Sequence, residues 1–150
     1  MLSMRLKTGM PINRVVEGDI IIDFKKGDVQ SRDGMMVRKS NIDKVNRQIE
    51  KGNCFPSGAI IGYDSEIAGG EMGEIERKIM EEEGVEPEDF MVHEIPFLSS
   101  RGMRRILISP VRNIRWKMDE NALLLSFSLP KGCYATSLLR EFMKTDIQNY

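Results

Sequence analysis

The apolar residues change period along the chain, and each change marks an element. Leu2 and Leu6 stand at i,i+4 spacing ahead of Gly9, which predicts the end of a helix over residues 1–7. A helix that shows only its last turns suggests a chain that begins inside an element. Residues 18–24 are rich in isoleucine and predict a strand. Lys26-Gly27-Asp28 and Arg32-Asp33-Gly34 are turn signals, and residues 35–38 predict a short return strand. Ile42, Val45 and Ile49 share one helical face over residues 40–50. Ser40 is the candidate cap, Asp43 sits three residues on, and Gly52 is the stop. Residues 59–63 predict a short strand. Ile75, Ile79 and Met80 mark a second helix over residues 74–83, ended by Gly84, and its glutamates read as a solvated face. Residues 90–95 predict an extended piece before Pro96.

The texture then changes. Residues 104–116 alternate as a strand interrupted by Pro110, and Asp119-Glu120-Asn121 reads as a turn. Residues 122–129 give the cleanest alternation: Leu123, Leu125, Phe127 and Leu129 face one way, Ser126 and Ser128 the other. Pro130-Lys131-Gly132 breaks this strand. A helix follows to about Lys144, with Ala135, Leu138, Leu139 and Phe142 on its inward face. The pattern is α+β, without repeats or low-complexity segments, and a boundary is expected near residues 99–104.

Charge changes this picture more than bulk composition does. The net charge of −1 excludes a generic polyanion binder. That total hides ten acidic and two basic residues from Glu71 to Glu94, followed by six basic residues and no acid from Arg101 to Lys117. A basic stretch on one face can hold phosphates, and it can equally pair with the acidic stretch. No apolar run approaches a membrane span, and no apolar stretch follows the basic N-terminus. These features predict a cytoplasmic protein with no membrane contact. Cys54, Cys133 and the single His93 offer no zinc spacing and read as structural. Gly69-Gly70-Glu71-Met72-Gly73 lacks the pattern of a phosphate loop and precedes an acidic helix.

The segment Phe127-Ser-Leu-Pro-Lys-Gly-Cys-Tyr-Ala-Thr-Ser-Leu-Leu-Arg-Glu141 resembles the C-terminal motif of the TruD family of tRNA pseudouridine synthases. Leu98-Ser-Ser-Arg-Gly-Met-Arg-Arg105 resembles the segment by which that family leaves its insertion domain. Gly58-x-x-x-Gly62-Tyr63, Gly73-Glu-Ile-Glu76 and the opening Leu6…Pro11-x-Asn13…Glu17-Gly18-Asp19 are similar to the insertion domain itself, in its archaeal-like form. The resemblance implies that residues 1–103 are the later part of the insertion domain. Residues 104–150 would be the C-terminal strands and helix of the catalytic domain.

The resemblance also implies isomerisation of uridine to pseudouridine in tRNA, typically at position 13, with no cofactor and no metal. Such chemistry needs a carboxylate at the ribose and a base flipped from its stack at a cost of roughly a few kcal/mol. Stacking on an aromatic returns about 1–3 kcal/mol per base. Tyr134 matches the family's aromatic at the target base; read from its residues alone, it is equally a core aromatic under the helix. Lys131, in the same turn, is a candidate phosphate contact. Arg101, Arg104 and Arg105 are candidates for gripping the RNA backbone, or plain solvated charge. Arg140 and Glu141 read as structural.

The Gly-Asn-Lys-Asp-like motif that carries the family's nucleophilic aspartate is absent from these 150 residues, and no aspartate here matches it by context. No catalytic residue is therefore assigned, and the chain alone is expected to be inactive. Its expected partners are tRNA and the missing N-terminal half of the enzyme. The alternative is a non-catalytic RNA-binding module, and a third possibility is a truncated product without a function. The apolar face at Leu123, Leu125, Phe127 and Leu129 also predicts self-association through an exposed sheet edge.

Overall fold

A computed structural model describes residues 1–24 and 27–144. The predicted turn residue Lys26, Asp146 and any helix beyond Lys144 lie outside the described residues. Two compact units divide the chain, Met1–Ile108 and Ser109–Tyr150. The first unit extends to Ile108, with Met103–Ile106 forming a strand inside its sheet.

The first unit opens with α1 (Leu2–Lys7) and contains five strands: β1 (Ile20–Asp23), β2 (Gln30–Ser31), β3 (Met35–Met36), β4 (Cys54–Ile60) and β5 (Met103–Ile106). They form one sheet in the order β2-β5-β4-β1-β3, every neighbouring pair antiparallel. Adjacent side chains of a strand point to opposite faces. Ile21 joins Val45 and Ile49 of α2 (Ile42–Glu50), with Val15, Val37 and Cys54. Ile20 joins Met72 and Ile75 of α3 (Gly70–Glu83), with Met10 and Ala68. Both faces of β1 are covered, which is why it reads as an unbroken isoleucine run rather than an alternation.

Several elements depart from the sequence pattern. The N-cap of α2 is Asn41 rather than Ser40, and its Oδ1 accepts the Arg38 amide at 2.9 Å. β4 starts at Cys54, earlier than its apolar pattern suggests, because it accommodates Pro56 and Gly58. Pro56 has no N–H to give, and its carbonyl accepts from the Leu107 amide at 2.9 Å. α3 starts at Gly70 rather than Glu74. Its leading glycines serve a backbone crossing: the Gly69 amide donates to the Gly18 carbonyl at 2.8 Å, and Gly18 has φ +91°. A Cβ on Gly18 would strike the Gly69 backbone. The extended piece expected over residues 90–95 forms no strand, and 3-10 turns at Pro87–Phe90 and Pro96–Leu98 flank it.

The second unit holds a hairpin, β6 (Arg112–Asp119) with β7 (Ala122–Ser128), and α4 (Ala135–Met143). The continuous strand expected over residues 104–116 is thus two strands in two sheets, separated around Pro110. Trp116 lies opposite Leu125 and Met118 opposite Leu123. The register slips between Arg112 and Arg115, where Asn113 adopts φ +55°. Leu125, Phe127, Leu129, Leu138 and Leu139 are half-buried. Ala135 and Phe142, expected inward, are exposed, because no described residue of this unit covers them. No helix among the described residues is long and apolar enough to cross a membrane.

Candidate functional site

β7 ends in a tight turn. The Cys133 amide donates to the Pro130 carbonyl at 3.1 Å, with Lys131 and Gly132 at the corners. Gly132 has φ +87°, the left-handed value that the third position of a type II turn demands. Lys131 is exposed at the tip. The chain leaves the turn in extended conformation at Tyr134 (φ −103°, ψ +122°), the N-cap of α4. Tyr134 makes no side-chain capping bond, and 70% of it is exposed. Within its own unit it is not a core aromatic. Cys133 is half-buried and its Sγ accepts from Ser109 Oγ at 2.8 Å.

The three candidate arginines have three different environments. Arg101 is exposed and ion-paired with Asp64, its Nη2 2.5 Å from Oδ2. The hydrogen bond and charge of Asp64 raise the Arg101 guanidinium above its ordinary pKa. Backbone bonds from Tyr63 N to Ser100 O (2.9 Å) and Asp64 N to Arg101 O (3.2 Å) hold the two loops together. Arg32, Asp33, Asp64 and Arg101 line a polar cavity of about 320 Å³ beside this clasp.

Arg104 is buried, which corrects its reading as a cation free to grip RNA. Its Nη2 lies 2.5 Å from Glu76 Oε1, Nε donates to Ser57 Oγ at 2.9 Å, and Nη1 donates to the Glu66 carbonyl at 2.6 Å. Arg105, next along β5, projects to the opposite face and is half-buried with partners of its own. The three therefore do not form one cationic patch.

Glu76 corrects the reading of the α3 glutamates as a uniformly solvated face. It is fully buried, and besides Arg104 it accepts the amides of Ala59 (3.0 Å) and Ala68 (2.8 Å). Residues 72, 75, 76 and 79 fall on one helical stripe, so the period itself placed Glu76 inward. Likewise Arg104 and Ile106 share the inward face of β5. Asp19 is a second buried carboxylate, bidentate with Arg5 at 2.6 and 2.8 Å. No group of three His, Cys, Asp or Glu among the described residues is placed to hold a metal.

The family model for tRNA pseudouridine synthase D (TruD) matches residues 1–142. This chain belongs to the TruD family. A relative in Thermococcus sibiricus, named "Probable tRNA pseudouridine synthase D", is 37% identical over 143 residues, covering 95% of this chain and 34% of that protein. One of the same name in Pyrococcus furiosus is 40% identical, covering 95% and 35%. The crystal structure titled "Putative tRNA pseudouridine synthase D (TruD)" from Methanosarcina mazei superposes with a TM-score of 0.85 at 35% identity, covering 99% of this chain and 36% of that one. The chain thus spans about a third of the length of the TruD proteins it matches. The relatives are mostly archaeal, and the α+β architecture is shared with the solved TruD structure.

Proposed function

We propose that this chain is the C-terminal portion of a tRNA pseudouridine synthase and supplies one wall of its uridine pocket. The observation that carries the reading is Tyr134, exposed just after a glycine turn within the segment that the family model matches. An aromatic held clear of its own unit costs little to present. Stacked on a flipped uracil, it offsets much of the few kcal/mol that extrusion requires. Lys131, in the same turn, is the proposed phosphate contact. Residues up to the end of β5 correspond to the insertion domain, and the hairpin with α4 to the catalytic domain.

The nucleophilic aspartate comes from polypeptide outside these 150 residues. Two aspartates of this chain are engaged in ion pairs, Asp19 with Arg5 and Asp64 with Arg101. The exposed apolar side chains of the hairpin, Trp116, Met118 and Leu123, are the surface that this polypeptide covers. The proposed setting is the cytoplasm, where tRNA is modified.

Complementation tests the reading. The chain is mixed with the N-terminal two-thirds of an archaeal TruD protein and tRNA is assayed for pseudouridine. Activity is expected from the mixture and from neither part alone. No activity at saturating partner, with tRNA binding intact, would establish a non-catalytic RNA-binding module instead.

A further inference from the structure

We infer that the β6–β7 hairpin is two-sided, and that its Arg115/Lys117 face grips the phosphate backbone of RNA. The inference rests on the RNA-modifying role proposed above and assigns it residues that the motifs do not. Side chains alternate along a strand, so Arg115 and Lys117 share one face of β6 and Trp116 and Met118 the other. The register sets Ser126 opposite Arg115 and Leu124 opposite Lys117, with Leu125 opposite Trp116 and Leu123 opposite Met118. One face therefore carries two cations, a hydroxyl and one exposed leucine, Leu124. The other carries four large apolar side chains.

β7 adds no charge to either face. Arg115 and Lys117 are both exposed, and neither makes an ion pair among the described residues. The acid nearest along their face is Asp119, at the tip of the hairpin, where its Oδ1 accepts the Glu120 amide at 2.9 Å. The other cations of the basic stretch are occupied: Arg101 by Asp64, Arg104 by Glu76, and Arg105 and Arg112 by partners of their own. What the sequence presents as six clustered cations reduces in three dimensions to this pair.

A cationic face attracts any polyanion. RNA is the favoured occupant because the same hairpin runs through Pro130 and Lys131 directly into Tyr134. One unit thus holds backbone cations and a base-stacking ring, the two elements of single-strand recognition. The apolar face is left for protein.

The test exploits the alternation. Labelled tRNA is titrated with the full 150-residue chain from about 50 to about 200 mM salt. The variant R115Q/K117Q is expected to weaken binding roughly tenfold at the lowest salt and to flatten the salt slope by about 1.4–1.8. R115K/K117R retains the slope, and so does Trp116→Ser on the opposite face. Circular dichroism melts of all variants should match wild type. An unchanged slope in R115Q/K117Q overturns the inference alone, while a wild-type chain without affinity for tRNA overturns the proposed function with it. Equal loss in the charge-conserving pair, or tighter binding of poly-glutamate than of tRNA, also overturns it.

Discussion

Glu76 on α3 and Arg104 on β5 form a 2.5 Å ion pair with both side chains almost completely buried. Each carboxylate oxygen also accepts a backbone amide, from Ala59 or Ala68. The pair thus ties a helix, two strands and a loop to one point. Removing one partner strands a charge in the interior, which typically costs about 3–5 kcal/mol. Arg104→Gln and Glu76→Gln are each expected to lower stability by that amount in urea unfolding. The double variant Arg104→Met/Glu76→Leu recovers only part of it, because two amides then lack an acceptor at about 1–3 kcal/mol each. A double variant as stable as wild type would refute this account.

Gly18 and Gly9 both have positive φ, but only Gly18 is crowded. Alanine at Gly9 meets no atom within 4 Å and suffers only backbone strain, roughly 1–2 kcal/mol. Alanine at Gly18 suffers the same strain and also forces the Gly69 backbone away, adding about 1–3 kcal/mol. Thermal unfolding of the two variants separates the contributions; equal losses would rule out the crossing as the cause.

Tyr134 is exposed, so its substitution should not change folding. Tyr134→Ala is expected to leave the melting curve unchanged and weaken tRNA binding by about 1–3 kcal/mol. Tyr134→Phe, which keeps the ring, stays near wild type. A drop in melting temperature for the alanine variant would assign the ring to packing instead.

Trp116 and Met118 are 69% and 63% exposed on one face of the hairpin. The chain alone should self-associate and enhance the fluorescence of an apolar dye, whereas Trp116→Ser/Met118→Ser should reduce both. Addition of the N-terminal part of a TruD protein should suppress both signals in the wild type. A monodisperse, dye-silent chain by light scattering would argue that this face needs no cover.

The elements easiest to read from sequence were those whose signal is local. α2 showed its face through Ile42, Val45 and Ile49, and β7 its alternation. The segment from Phe127 to Glu141 carried the family together with Leu98–Arg105 and the motifs upstream of it. What escaped was set by distant partners. Pro56 and Gly58 argued against the first half of β4, but the sheet asks Pro56 only for a carbonyl. Glu76 looked like one of many surface glutamates, although its helical stripe was apolar on either side. The six cations from Arg101 to Lys117 formed a block in sequence, yet strand alternation and two buried or clasped pairs dispersed it. Where Tyr134 stands was not legible either, since the same ring beside the same turn suits a core as well as a cleft.

β5 is the last strand of its unit in sequence but sits between β2 and β4 in the sheet. During synthesis the earlier strands emerge without the one that joins β2 to the rest. Until residues 103–106 arrive, β2 has no ladder and Glu76 has no cation. Early collapse would therefore enclose an uncompensated carboxylate, which disfavours premature closure. The first unit completes late, through pairings distant in sequence, and such topologies fold slowly. A gene cut at residue 103 would remove this staple together with the second unit.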